Sequence, residues 1–171
     1  MKLFFIMILL HPSICLAQVW NSKNKWNQSY ENEFRIWVQS IDKDIVITPE
    51  SPYFGLGVDC ADMVYLLKII FAHKNNLEYI TIDPRTNKKI SNNTKKFNNL
   101  EKKDRLKAFL NYIFKRTSTV SLRDLHSYPI KIKEIKAGDI FHFEKIKNGN
   151  KVRHVVLILK VLENGNFDYI Y

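Results

Sequence analysis

Cysteine is scarce in this chain, since only Cys15 and Cys60 occur among 171 residues. So few thiols exclude a disulfide framework and a cysteine-rich zinc site. Histidine forms no cluster and no His-Glu-x-x-His motif, so we expect no metal and no cofactor. Five glycines and five prolines are too few for a collagen-like or low-complexity chain. With 46% hydrophobic residues, the composition is that of a folded domain.

The chain also lacks an apolar run long enough to span a bilayer. The longest run, Leu3–Leu10, follows a lysine and is interrupted by a histidine and a proline. These features predict a signal peptide over Met1–Ala17. A retained membrane anchor and a lipid attached to Cys15 are weaker alternatives. We therefore expect residues 18–171 to form one soluble domain, secreted or periplasmic, with Cys60 as its lone thiol.

The formal net charge is +10, from 27 Lys and Arg against 17 Asp and Glu. Lysine pairs such as Lys95-Lys96 lie among polar residues and not between aromatic rings. A solvated surface explains them best, so we expect no nucleic-acid partner. Adhesion to an anionic polymer of a cell envelope stays open. We expect the domain to be a monomer.

The stretch from Gly55 to Asn76 organises the rest of the chain. Asp59 is a typical helix-capping residue, and the residues after it are apolar on nearly every face, as in a buried helix. Cys60 would lie in the first turn, where free N–H groups and the helix dipole favour a thiolate. The alternative is a small buried residue without chemistry. An unpaired cysteine is a liability in an exported protein, which favours the catalytic interpretation.

Apolar periodicity predicts two further amphipathic helices, one on each side of the Cys60 helix. Trp20 and Trp26 precede the first and are either anchors of the N-terminal segment or rings that stack on a substrate. The polar stretches Lys88–Asn99 and Thr117–Ser127 predict a long surface loop and a connection. The periodic residues are Tyr30, Phe34, Trp37, Val38 and Ile41 in the first helix, and Leu106, Phe109, Leu110, Ile113 and Phe114 in the second.

The last third of the chain shows the alternation and the turn residues that are typical of strands. One of its segments, Arg153–Leu162, is too apolar to be anything but a central strand. Helices first and an antiparallel sheet last predict an α+β fold. The other expected strands are Pro129–Lys136, Ile140–Glu144 and Phe167–Tyr171, with short ones at Ile45–Ile47 and Ile80–Ile82 and turns at Asn148-Gly149 and Asn164-Gly165.

His154 opens the predicted central strand and is the candidate base for Cys60. Alternation places its side chain on the same face as Val156. A histidine in such a position is otherwise an ordinary core residue. His142, in the neighbouring strand, is the rival candidate. Two other histidines have no comparable setting, His73 and His126.

Three motifs resemble, in the same order, those of NlpC-type cysteine hydrolases, a branch of the papain-like superfamily. They are Asp59-Cys60-Ala61-Asp62 at a helix start, Lys136-Ala137-Gly138-Asp139 before a strand, and His154-Val155-Val156 opening the next strand. The resemblance runs from about Tyr53 to the end of the chain. It implies a papain-like fold, with Cys60 as the nucleophile and His154 as the base.

The resemblance also implies an exported enzyme that cleaves peptide or amide bonds in bacterial peptidoglycan. Its partner would then be a cell-wall peptide or another peptide. Tyr53 and Asp59 lie near the thiol in sequence and are the candidates for binding the substrate or the oxyanion.

Two departures from the family pattern predict weak catalysis. Asp62 replaces the usual glycine, and its charge, with that of Asp59, opposes a thiolate. A two-residue turn at Asn164-Gly165 would place the partner of His154 at position 175, beyond the last residue, so the third member of a triad would be missing. An inactive cell-wall-binding module of the same fold and a transglutaminase-like acyl transferase stay open as alternative functions.

Overall fold

A computed structural model describes residues 18–45 and 48–171. The predicted signal peptide Met1–Ala17 lies outside the described residues, as do two of the three residues of the strand expected at Ile45–Ile47. The helices are α1 Gln28–Val38, α2 Cys60–Lys74, α3 Lys102–Phe114 and α4 Thr119–Leu125. The strands are β1 Ile80–Ile82, β2 Lys89–Ser91, β3 Ile140–Lys147, β4 Asn150–Val161 and β5 Phe167–Ile170.

Helix α2 is the centre of the molecule, as the sequence predicts. Asp59 caps it, because the Asp59 carboxylate accepts hydrogen bonds from the backbone N–H groups of Ala61 and Asp62, each at 2.8 Å. The Asp62 carboxylate in turn accepts a hydrogen bond from the Asp59 N–H, which completes a capping box. Apolar side chains fully buried in this helix include Leu66, Leu67, Ile69 and Ile70.

Helix α1 packs on α2 through aromatic rings. Phe34 is buried and lies edge-on to Phe71, with 5.4 Å between ring centroids, and Trp37 contacts the same Phe71 ring. Both helices flanking α2 are thus confirmed, with bounds close to the predicted periodic residues. Trp20 anchors the N-terminal segment, because it is buried and its Nε1 donates to the carbonyl of Leu77 at 2.9 Å.

The C-terminal sheet is antiparallel, with strands in the order β3-β4-β5. Asn148 and Gly149 both have positive φ, +52° and +78°, as a two-residue hairpin turn of this kind requires. The predicted central strand and the hairpin are confirmed. A second antiparallel pair, β1 with β2, lies earlier in the chain, so the molecule is α+β with antiparallel sheets.

The two faces of β4 have different neighbours. Val155, Leu157 and Leu159 belong to the hydrophobic core that also contains the buried residues of α2. The alternate residues, His154 and Val156 among them, point to the opposite face. One face of the sheet therefore packs on the Cys60 helix and the other does not.

Three polar segments differ from the sequence predictions. The expected loop Lys88–Asn99 contains strand β2 and a short 3₁₀ turn, with Asn92 and Phe97 buried. The expected connection Thr117–Ser127 contains α4, which Ser118 and Ser121 start with a capping box. Pro129–Lys136 forms no strand and has only a 3₁₀ turn at Ile132–Glu134, where Ile132 is 75% exposed.

The turn between β4 and β5 is longer than predicted. The Leu162 N–H donates to the carbonyl of Asn166, and the pairing then shifts at a bulge near Leu159, so that Leu157 lies opposite Ile170. On that register the partner of His154 would be position 173. The predicted position 175 is therefore wrong by two residues, although both positions lie beyond Tyr171.

Candidate active site

Cys60 is the first residue of α2, and its thiol is free and partly exposed. Its Sγ lies 3.7 Å from Oγ1 of Thr119, the first residue of α4. The N-terminal ends of two helices therefore meet at the thiol. Of the first amides of α2, those of Ala61 and Asp62 bind the cap, whereas that of Cys60 makes no hydrogen bond among the described residues. The Cys60 N–H is thus open to an oxyanion.

A buried carboxyl group lies in the same helical turn as Cys60. The Asp62 side chain is in the same first turn and only 8% exposed. Burial raises the pKa of Asp62 to about 6, and the nearby charge of Asp59 adds to this, while the hydrogen bond from the Asp59 N–H works against it. Above pH 6 the start of α2 therefore carries a second carboxylate charge besides that of its cap Asp59, and its effect on the thiolate stays a prediction.

We predict that Asp62→Asn stabilises the protein at neutral pH. The folded state holds the Asp62 proton up to about pH 6, whereas an unfolded aspartate releases it near ~3.9, so the contribution of Asp62 to stability falls as the pH rises between these values. Asparagine keeps the capping acceptor without the charge. Urea unfolding should show a gain of about 1–3 kcal/mol at pH 7 that disappears near pH 4.

Asp104 provides the matched control for this prediction. It is an exposed carboxylate in the first turn of α3. Asp104→Asn should change stability by less than ~0.5 kcal/mol at either pH. An Asp62→Asn variant that is no more stable at pH 7 than at pH 4, relative to the parent chain, would contradict the prediction.

From Cys60 to Ala72, helix α2 exposes a single stripe of residues. Cys60, Val64 and Lys68 are partly exposed, whereas all other residues from Ala61 to Ala72 are buried. They follow one another at intervals of four residues, so they lie on one side of the helix. Val64 and Lys68 line a cavity of about 830 Å³, and Cys60 lies one helical turn beyond its lining.

The cavity lies between α1, α2, β1, the loop 126–139 and the inner face of the sheet. Its lining combines apolar and aromatic side chains with four cationic and four acidic ones. A volume of this size suits a ligand of several residues. The apolar lining includes Trp26, Phe34, Val64, Tyr79, Ile140 and Leu157, and the charged lining is Lys25, Arg35, Lys68, Lys136, Glu31, Glu78, Glu134 and Asp139.

Two ion pairs shape the α1 wall of this cavity. Lys68 Nζ lies 3.1 Å from both carboxylate oxygens of Glu31, and 3.9 Å from the centroid of the Trp26 ring. Arg35 Nη1 lies 2.9 Å from Asp139 Oδ1 and donates to the carbonyl of Ala137 at 2.7 Å. The second pair holds the loop before β3 against α1. Trp26 lies on the cavity lining, where its ring could stack on a substrate, whereas Trp20 anchors the N-terminal segment.

His126 lines the same cavity, although no sequence pattern distinguishes it. Its Nε2 lies 2.9 Å from the carbonyl oxygen of Ile82, and its Nδ1 lies 2.6 Å from the Tyr65 hydroxyl. A carbonyl only accepts, so Nε2 carries the proton and Nδ1 accepts from Tyr65. Burial lowers the pKa of His126 and raises that of Tyr65 to about 12, so both are neutral at pH 7. The pair ties β1 to α2 and shapes the cavity wall.

The structure does not bring His154 into contact with Cys60. The His154 ring stacks on Phe143, with 5.5 Å between centroids, on the face of the sheet that carries Val156. Thr119 supplies the one hydrogen-bond contact of the Cys60 sulfur within residues 18–45 and 48–171. His154 as the base stays a prediction, and the fold places it across the sheet from the core that packs on α2.

His142 lies on the other face of the sheet. It pairs with Val155, a core residue, so its side chain points to the side of α2 and α4. Its Nε2 is buried and has no hydrogen-bond partner among the described residues. Burial lowers the pKa of His142, and Arg123 of α4 lowers it further, which leaves a neutral imidazole at pH 7.

The carboxylates near His142 are already bound by cations. Glu144 accepts from Arg153 at 2.8 Å and from Lys151, and these contacts lower the pKa of Glu144 to about 2. Asp124 is bound by its neighbour Arg123. Neither carboxylate hydrogen-bonds to His142. His142 is thus a neutral imidazole that no neighbouring carboxylate holds in place.

Tyr53 and Asp59 differ in how well they suit their predicted roles. Tyr53 is 8% exposed and belongs to the hydrophobic core, and burial raises its pKa, so it does not form an open rim. Asp59 is exposed, but its carboxylate is engaged as the helix cap. Neither residue lines the cavity. Both roles stay predictions.

No family model, curated protein or solved structure matches the chain. The NlpC-type resemblance is therefore still a prediction from the motifs. In the part of the chain that the structure describes, no group of three or more His, Cys, Asp or Glu side chains is placed to hold a metal ion. Within the same residues, no helix has the length and apolarity that crossing a membrane requires.

Proposed function

We propose that the chain is a cysteine hydrolase of papain-like, NlpC-type architecture that cleaves peptide or amide bonds, with Cys60 as the nucleophile. The observation that carries the proposal is the open stripe of α2. It leads from a free thiol at a helix N-terminus, over Val64, into a cavity large enough for a peptide. We further propose that the protein acts after export, on cell-wall peptides, as its N-terminal sequence and motifs predict.

The reaction proceeds by acyl transfer to sulfur. The thiol proton passes to a histidine, and Sγ forms a bond to the acyl carbon. The developing oxyanion is held by the Cys60 N–H, the amide that the helix cap leaves open. The carbon–nitrogen bond then breaks as the amine takes the proton from the histidine. Water hydrolyses the thioester, which releases the acid and regenerates the thiol.

Alkylation and hydrolysis together test this proposal. We expect iodoacetamide to label Cys60 in the native protein and to abolish release of amines from purified peptidoglycan. Cys60→Ala should have the same effect on hydrolysis. The assay should use the exported protein, whose first residue should be Gln18. Labelling only after denaturation, or unchanged hydrolysis by Cys60→Ala, would contradict the proposal.

A binding module of the same fold is the second candidate. It is favoured by the absence of a contact between Cys60 and any histidine in the described residues, and by the two carboxylates of the first turn. In that case the wild-type chain and Cys60→Ala would bind peptidoglycan equally, and neither would hydrolyse it.

A further inference from the structure

Lys68 is a cation with one donor to spare. An ammonium group has three N–H donors, and Glu31 accepts two of those of Lys68, both at 3.1 Å. The rings of Trp26 and Phe34 lie 3.9 Å and 4.4 Å from Nζ and accept no conventional hydrogen bond. The third donor has no acceptor among the described residues. Lys68 lines the cavity with 32% of its side chain exposed, so that donor is available to a ligand.

The position of Lys68 on α2 links it to the thiol. It is the second residue after Cys60 on the exposed stripe, eight positions along the helix. Eight residues of α-helix rise about 12 Å. An extended peptide covers ~3.3 Å per residue, so about four residues span this distance. A substrate whose acyl carbon lies at Cys60 would thus place a group about four residues away beside Lys68.

The positive charge of Lys68 in this partly buried position requires an explanation. Burial lowers the pKa of Lys68, as does the neighbouring Arg35, while Glu31 raises it. A partly buried ion pair gains little stability over apolar side chains of the same size, and most of the surrounding α2 residues are aliphatic. The charge of Lys68 therefore adds little to stability. Because Lys68 lies between two rings and has a free donor, it is suited to binding an anion.

We propose that Lys68 determines specificity by binding the free carboxylate at the end of a peptide held in the cavity. The cleaved bond, on the proposed function, would then lie about four residues before that carboxylate. Apart from the Lys68–Glu31 pair, the lining carries three cationic and three acidic side chains, so the spare donor of Lys68 is what distinguishes a carboxylate from an amide in this cavity.

Binding is measured in the Cys60→Ala chain, so that this step does not depend on hydrolysis. The probes are N-acetyl-tetraalanine with a free carboxylate and the same peptide as its amide, each titrated by NMR. We expect the carboxylate form to bind about 10- to 100-fold more tightly, as for a hydrogen bond between charged groups. Lys68→Met should bring this ratio close to one, and Lys68→Arg should keep most of it.

Lys74→Met is the matched control, because Lys74 lies on the same helix, near the Trp37 ring and outside the cavity lining. It should leave the preference unchanged. Equal affinity of the two peptides, no binding of either at millimolar concentration, or a Lys68→Met variant that retains the preference would each overturn the proposal. A preserved preference in Cys60→Ala with no cleavage by the parent chain would refute only the proposed hydrolysis.

Discussion

Replacing His142 by alanine is expected to lower the hydrolytic rate by about 10²- to 10⁴-fold, which is the usual contribution of a general base. His154→Ala should lower it by less than about tenfold. The two histidines are expected to differ because their side chains lie on opposite faces of the sheet. His142 points toward α2 and α4, whereas His154 stacks on Phe143 across the sheet from the core.

The measurement is kcat/KM for amine release from the same peptidoglycan substrate, with each variant compared at several pH values. Iodoacetamide labelling of Cys60 serves as the control for folding, because a variant that keeps the first turn of α2 should keep the accessible thiol. A strong loss in His154→Ala with little loss in His142→Ala would contradict this expectation and support His154, the base predicted from the family motif.

The surroundings of His142 also affect the expected catalytic strength. His142 Nε2 has no partner within the described residues, and Arg123, Lys151 and Arg153 occupy the nearby carboxylates. An unheld imidazole adopts the productive tautomer and orientation only part of the time. If His142 is the base, its free nitrogen is a second reason to expect the low activity that stays a prediction from the sequence.

The elements that sequence reasoning placed correctly have strong local signals. Helix α2 has a capping aspartate and an apolar run, α3 has a regular stripe, and the β3–β4 hairpin has Asn-Gly at its turn. Each signal is contained within about fifteen residues or fewer. Neighbouring residues alone therefore determine these elements.

The parts of the site that were not predicted depend on long-range packing. Alternation along β4 shows that His154 and Val156 share a face, but it does not show which face meets α2. The ion pair of Lys68 with Glu31 and the contact of Tyr65 with His126 join residues 37 and 61 positions apart. Such pairs leave no local pattern, so a single sequence could not reveal the cavity.

Asn92 is an example from the core of a residue whose contacts leave no local sequence pattern. It lies in a polar stretch that predicts a surface loop, yet its side chain is fully buried. Its Oδ1 accepts the N–H of Tyr79 at 2.9 Å, and its Nδ2 donates to the carbonyl of Trp20 at 3.0 Å. The Asn92 side chain thus joins the N-terminal segment to Tyr79, the residue before strand β1, and a polar residue there is part of the interior.

We expect Asn92→Ala to destabilise the protein by about 2–5 kcal/mol, because it leaves a buried N–H and a buried carbonyl without partners. Asn93→Ala is the matched control. Asn93 is the next residue, is exposed, and donates to Glu78 on the surface, so its loss should cost no more than about 0.5 kcal/mol. Urea denaturation of the two variants measures the difference through the transition midpoints. Similar midpoints for Asn92→Ala and Asn93→Ala would contradict this expectation. They would mean that the segment 88–99 behaves as a surface loop and that Trp20 does not depend on its hydrogen bond with Asn92.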